Sequence, residues 1–218
     1  MRRLAVFDLD HTLLADDSDH LWGRWLIDKG VVDSEAYARE NERFYGLYTA
    51  GTLDIHEYAA FSLRPLVEQP IERMLALRDR FVQEWIAAKV APGAPALLEK
   101  HRAQGDELLI TTATGRFITE PIAALLGVPN LIATDAEIHD GRYTGRIAGI
   151  PNFQGGKVQR LRTWLAAQEQ PYTHLTAYSD SRNDIPLLEE AHTAVAVDPD
   201  AVLRATATSR GWSVISLR

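Results

Sequence analysis

The sequence predicts an α/β protein, a Rossmann-like parallel sheet with helices on both faces and a helical cap domain inserted after the first strand. Three observations predict it. Short apolar runs bounded by turn residues recur along the chain, the pattern of parallel strands buried on both faces. Helical stretches separate these runs in the second half, and strand alternating with helix implies a parallel sheet. Between the first run and the second, roughly a hundred residues hold almost no strand signal.

Taken in order, Leu4-Ala5-Val6-Phe7 reads as the first buried strand and ends in aspartates. Residues 18–29, 33–48, 54–64 and 70–89 then read as helices, with Leu21, Trp22, Trp25 and Leu26 on one face of the first. Trp22, Trp25 and Trp85 are expected to pack the interior of this insert. A core of residues 1–14 and 91–218 and a cap of residues 15–90 follow, joined by linkers near 13–18 and 86–93 that are expected to act as hinges. Pro92-Gly93 marks the second linker. Further strands are expected at Leu108–Ile110, Leu131–Ala133, His174–Tyr178 and Ala194–Val197, with helices over 94–103, 117–126, 156–168, 184–191 and 199–207. The sheet should hold about six strands in such a fold. Glu137-Ile138 and Tyr143-Thr144, flanking Asp140-Gly141, read as a short hairpin.

Composition narrows the function classes. The 218 residues are 46% hydrophobic and 24% charged, ordinary for a folded globular chain. A net charge of −7 argues against a nucleic-acid partner, and the cap segment 15–90, with 14 acidic and 9 basic residues, holds most of the excess. Cysteine is absent, which excludes disulfides, thiolate nucleophiles and cysteine metal sites. No apolar run approaches membrane-spanning length and no signal-peptide core follows Met1, so no membrane partner and a cytoplasmic location are expected.

The chemistry should lie where strands end, because open α/β sheets bind ligands outside the carboxyl ends of their strands. There stand Asp8-Leu9-Asp10-His11-Thr12, then Thr111-Thr112, then Ser179-Asp180-Ser181-Arg182-Asn183-Asp184, with Lys157 opening the helix before the last. Several carboxylates brought together need a cation between them. Oxygen-only donors favour Mg²⁺. Lys157 and a threonine hydroxyl form an anion subsite beside it. Thr112 is the first candidate for that hydroxyl, with Thr111 and Thr114 competing. Asp184 could equally cap the helix that follows it.

Asp8-x-Asp10-x-Thr12 after an apolar strand, followed in order by Thr112, Lys157 and Asp180-x-x-x-Asp184, resembles the haloacid dehalogenase superfamily of phosphatases, and the resemblance spans essentially the whole chain. The helical insert resembles that superfamily's type-1 cap, as in phosphoserine-phosphatase-like and histidinol-phosphate-phosphatase-like enzymes. The resemblance implies Asp8 as nucleophile, Asp10 as acid and base, and Thr112 and Lys157 as phosphate-binding groups. It implies Mg²⁺ held by Asp8, Asp10 through its backbone carbonyl, and Asp180, with Asp184 in support. In phosphoserine phosphatases an acidic residue after the first motif holds the substrate amine, and Asp17 matches that position. The cap arginine that holds the carboxylate has no counterpart: Ala60 or Ser62 stands there, and Arg64 is the nearest substitute. A small amine-bearing phosphate monoester without a carboxylate, such as histidinol phosphate, is therefore the expected substrate, met by Asp16, Asp17 or Asp19. Phosphoserine is the alternative. A phospho-aspartate signalling receiver gathers similar groups but lacks the insert and the second aspartate, and a non-hydrolytic phospho-ligand binder would not need the full catalytic set.

Overall fold

The computed structural model of the chain describes residues 2–218. Strand β1 (Arg3–Phe7) sends Leu4 and Val6 to one side of the sheet and Ala5 and Phe7 to the other, and all four are buried. This two-sided burial is why the strand reads as one continuous apolar run. The chain then crosses into helices α1 (Ser18–Asp28), α2 (Ser34–Ala50), α3 (Ile55–Ser62), α4 (Arg64–Glu68) and α5 (Ile71–Phe81). It returns through α6 (Ala94–Ala103), β2 (Glu107–Gly115), α7 (Arg116–Leu125), β3 (Asn130–Thr134) and the hairpin β4 (Ala136–His139) and β5 (Arg142–Ile147). The closing elements are α8 (Gly155–Ala166), β6 (His174–Ser179), α9 (Ile185–Glu189), β7 (Thr193–Val197), α10 (Ala201–Arg210) and β8 (Ser213–Ile215).

The main sheet has the order β3-β2-β1-β6-β7-β8, and every adjacent pair is parallel. The strand order reverses at β1, which has β2 on one side and β6 on the other. The crevice above its carboxyl end is therefore the expected ligand position. No helix among the described residues is long and apolar enough to cross a membrane.

Capping explains most helix starts. Asp17, Asp33 and Asp54 accept backbone N–H bonds at the heads of α1, α2 and α3, and Asp200 does so at α10. Gly51 ends α2 in the left-handed conformation that closes a helix without a Cβ penalty. Within the insert, Trp22 and Trp25 meet Phe81 and Trp85 with ring centroids 5.2–6.0 Å apart, and Trp25 is fully buried. Trp22 also faces Phe117 of α7 at 6.1 Å, so this aromatic cluster packs the insert against the sheet layer as well as within itself.

Entry and exit of the insert run side by side. Ala15 N donates to Lys89 O at 2.6 Å and Ala91 N to Leu13 O at 2.9 Å. The hairpin turn falls at Asp140 and Gly141, with φ of 49° and 74°, the pair of positive values that a two-residue turn demands.

Two expectations are corrected, and one strand stands outside them. The helix expected over 54–64 stops at Ser62, because Pro65 brings no N–H to the ladder and opens the separate helix α4. The helix expected over 70–89 is regular only to Phe81, then passes through one wide turn (Val82–Ile86) and one tight turn (Ala87–Lys89). Strand β8 has no counterpart in the sequence reading: it is three residues long with Ser213 and Val214 exposed, too short and open to leave an apolar run.

Candidate active site

Directly after β1 the backbone turns sharply. Asp10 is extended (ψ 138°) and His11 sits at φ 55°, a left-handed conformation uncommon outside glycine. The turn leaves Asp8 and Asp10 beneath the insert. Asp8 N donates to Tyr178 O at 2.9 Å, which ties the residue to β6. Its carboxylate Oδ1 accepts from Lys157 Nζ at 2.8 Å, and the same ammonium donates to Asp184 Oδ2 at 2.7 Å. All three side chains are buried.

Asp10 is held from two directions. Ser18 N, at the head of α1, donates to Oδ1 at 2.7 Å, and Thr114 Oγ1 of β2 donates to Oδ2 at 2.8 Å. Asp180 stands across the crevice, where Thr12 Oγ1 donates to its Oδ1 at 3.0 Å and accepts from its backbone N at 3.1 Å. Asp184 makes no side-chain cap to α9 and instead accepts from Ser179 Oγ at 2.8 Å and from Lys157. Its expected capping role is therefore absent, because the carboxylate is turned inward.

The three competing threonines separate by what they touch. Thr111 Oγ1 accepts from the Asn152 amide at 3.0 Å, and Thr114 is committed to Asp10. Thr112 lines the cleft with its hydroxyl accepting only the Thr114 N–H, at 3.2 Å, so its proton is left to donate.

Electrostatics mark this crevice. Burial lifts the Asp8 carboxyl to about 7 against the pull of Lys157, with Asp184 and Asp10 adding to the rise. Burial, then the neighbouring Asp17, lifts Asp10 to about 6. Asp180 is pushed well above the carboxylate range by burial and by Asp8. Burial would lower Lys157, but Asp184 and Asp8 outweigh it and hold the ammonium charged. One cation thus faces more negative charge than it can balance, and the donors are all oxygens, a set that fits a hard divalent ion. Among the described residues no three His, Cys, Asp or Glu side chains close around one point. Mg²⁺ does not need them: it is commonly held by one or two carboxylates and keeps several waters.

Above Asp8 and Asp10 a cleft opens towards the insert. Asp17 lines it and also caps α1 through His20 N at 2.8 Å, so starting the helix and facing the cleft are compatible. Asp19 lies against the Tyr58 hydroxyl, and burial, reinforced by Asp17, lifts it to about 7. Asn41, Tyr45 and Tyr48 of α2 form another wall, with Asn41 Nδ2 3.2 Å from His20 Nδ1 and the Tyr45 ring 4.6 Å from that imidazole. The sequence reading missed this wall. The signal was the spacing Asn41, Tyr45, Tyr48, one face of a helix with an amide where a core would place an aliphatic residue. No Lys or Arg is among the residues lining the cleft. Arg64 points elsewhere: its side chain is half exposed, 3.8 Å from Glu68 and 5.7 Å from the Tyr37 ring. Asp16 pairs with Lys89 at 2.7 Å, away from the cleft lining.

The sequence matches the haloacid dehalogenase-like hydrolase family over residues 5–189. The chain belongs to that family. Across their full lengths it is 41% identical to a histidinol-phosphatase of Neisseria meningitidis serogroup C (strain 8013). It is 31% identical to a phosphoserine phosphatase of Mycobacterium tuberculosis, with 98% of this chain and 70% of that one covered. Among solved structures, a protein of unknown function from Bordetella pertussis Tohama I superposes at TM-score 0.94 with 41% identity and full coverage of both chains. A phospho-aspartyl intermediate analogue of phosphoserine phosphatase superposes at 0.72 with 18% identity, covering 100% of this chain and 94% of that one, which speaks for the shared fold.

Proposed function

We propose that this haloacid dehalogenase-like hydrolase is a Mg²⁺-dependent phosphomonoesterase that acts on histidinol phosphate through an aspartyl-phosphate intermediate. The observation that carries the substrate is the cleft itself. Asp17 and Asp19 offer negative charge to an amine, Tyr45, Tyr48 and Tyr58 offer flat faces to a ring, and no lining cation awaits a carboxylate. Phosphoserine would bring its carboxylate against Asp17 and Asp19. The histidinol-phosphatase relative supports the same reading.

In this reading residues 15–90 act as the cap on a core of 1–14 and 91–218, moving about the paired linkers to admit substrate and exclude bulk water. Asp8 attacks phosphorus, forming an acyl-phosphate bond as the ester P–O bond breaks. Asp10 gives its proton to the departing alkoxide and afterwards takes one from the water that cleaves the acyl phosphate. A carboxyl raised to about 6 suits a group that must both give and accept a proton near neutrality. Ser18 N and Thr114 aim it. Thr112 and Lys157 hold the phosphoryl oxygens. Asp8, the Asp10 carbonyl and Asp180 hold Mg²⁺, with Asp184 in support. The ion supplies charge neutralisation at the phosphoryl group.

The test is phosphate release with Mg²⁺ across small monoesters. Histidinol phosphate is expected to exceed phosphoserine at least about tenfold in kcat/KM, the worth of one charge-assisted contact against one repulsion, and Asp19→Asn to remove much of that preference. A tenfold advantage for phosphoserine would overturn the substrate assignment. Metal dependence gives a second expectation. Asp8 and Asp180 must lose protons to bind the ion, so the Mg²⁺ concentration for half-maximal activity should rise as pH falls from 8 to 6, and most steeply below the Asp8 value of about 7. A pH-independent Mg²⁺ requirement would contradict this ligand set.

A further inference from the structure

We propose that Asn152 is a positioning residue for phosphoryl binding, fixing the peptide between Thr112 and Ala113 so that its N–H faces the phosphate. The inference rests on the phosphatase reading. Asn152 lies in the loop between β5 and α8 and is fully buried. Its Nδ2 donates to Thr112 O at 2.8 Å, Thr111 Oγ1 at 3.0 Å and Ile132 O at 3.1 Å, while its backbone N donates to Thr134 Oγ1 at 3.0 Å. Two of those partners are carbonyls, which only accept, so the amide nitrogen and not its oxygen must face them.

This one side chain gathers the carboxyl ends of β2 and β3 where their pairing slips, between Thr111 and Gly115. A strand leaving its ladder frees backbone groups that need partners, and Asn152 supplies the donor for Thr112 O. A trans peptide directs its C=O and N–H to opposite sides. Anchoring Thr112 O at Asn152 therefore turns the Ala113 N–H the other way, and Thr112, Ala113 and Thr114 line the cleft.

Two further observations set Asn152 apart from ordinary packing. Its Oδ1 is buried and finds no partner among the described residues. Such an orphan acceptor bears the full desolvation penalty of its polarity, so asparagine is a poor choice for stability alone. The loop also leads straight into Lys157. Gln154 is held at φ 47°, and a Cβ on Gly156 would collide with the Pro151 carbonyl oxygen, so this stretch is tightly folded. Asn152 thereby fixes the spacing between the Thr112–Ala113 peptide and Lys157, the two sides of the anion subsite.

The first test uses the wild-type chain labelled with ¹⁵N and titrated with inorganic phosphate in the presence of Mg²⁺. The Ala113 amide resonance is expected to move with saturation, and an Ala113 resonance that stays fixed while phosphate binds overturns the proposal. The second uses Asn152→Asp, equal in shape but unable to donate to both carbonyls. It is expected to raise the phosphate inhibition constant at least tenfold, to raise KM and lower kcat together, and to abolish the phosphate-induced rise in Tm. A variant with lowered Tm but inhibition constant, KM and kcat within twofold of wild type overturns it as well, because Asn152 then only stabilises the fold. Wild-type protein that hydrolyses no phosphomonoester would instead sink the phosphatase reading, an outcome separate from both.

Discussion

Asp8→Asn is expected to abolish phosphate release, with kcat falling at least ~10⁴-fold, because loss of a nucleophile removes the covalent route altogether. The fold should survive. Asparagine has nearly the same volume, and Lys157 keeps its 2.7 Å contact to Asp184. Burial already works against the charged form of Asp8, so a neutral amide removes a desolvation cost in exchange for one ion pair. Tm should consequently stay within a few degrees of wild type, while activity disappears on every substrate. Residual kcat within a hundredfold of wild type would show that Asp8 is not the nucleophile. Loss of activity accompanied by a collapsed Tm would show that Asp8 serves the fold.

The sheet and the cluster of polar side chains at its edge were legible because their physics is local. A strand buried on both faces must be apolar throughout, so Leu4–Phe7 announces itself, and the residues that follow it must lie at the strand's end. Asp8, Asp10, Lys157, Asp180 and Asp184 are brought together by the parallel order of β1 and β6 and the helix between β5 and β6, a topology that alternating strands and helices imply. The choice between Thr111, Thr112 and Thr114 was not legible, because it depends on the slip in β2 pairing and on the Asn152 amide, both tertiary facts.

The cleft wall was harder still. Asn41, Tyr45 and Tyr58 come from two helices of the insert, and nothing in one helix tells which face meets the sheet edge. Arg64 illustrates the limit. It is the nearest basic residue by alignment, yet the helix restarting before Pro65 carries it to the surface beside Glu68. One break in a helix therefore separates a residue that could read a carboxylate from one that cannot.

Lys157→Met is expected to be the most damaging single change to stability, with a large loss of activity beside it. The ammonium sits between two buried carboxylates, 2.8 Å from Asp8 and 2.7 Å from Asp184. Methionine fills the volume but leaves those charges without their cation, and stripping one partner from a buried ion pair costs about 3–5 kcal/mol. For a chain of this length that lowers Tm by roughly 10 °C. The phosphoryl oxygens lose a fixed positive charge as well, so kcat/KM should fall about 10³-fold. The pH dependence separates this cause from simple packing loss. Asp8 already has a folded pKa raised to about 7, and without Lys157 it rises further. A carboxyl raised above its unfolded value is accommodated at low pH, and its stability contribution is lost as pH climbs towards the folded value. The Tm deficit of Lys157→Met relative to wild type, measured without added metal, should therefore change little from pH 5 to about 7 and be larger at pH 8 than at pH 5. An equal deficit at both pH values would mean that Lys157 contributes volume rather than charge.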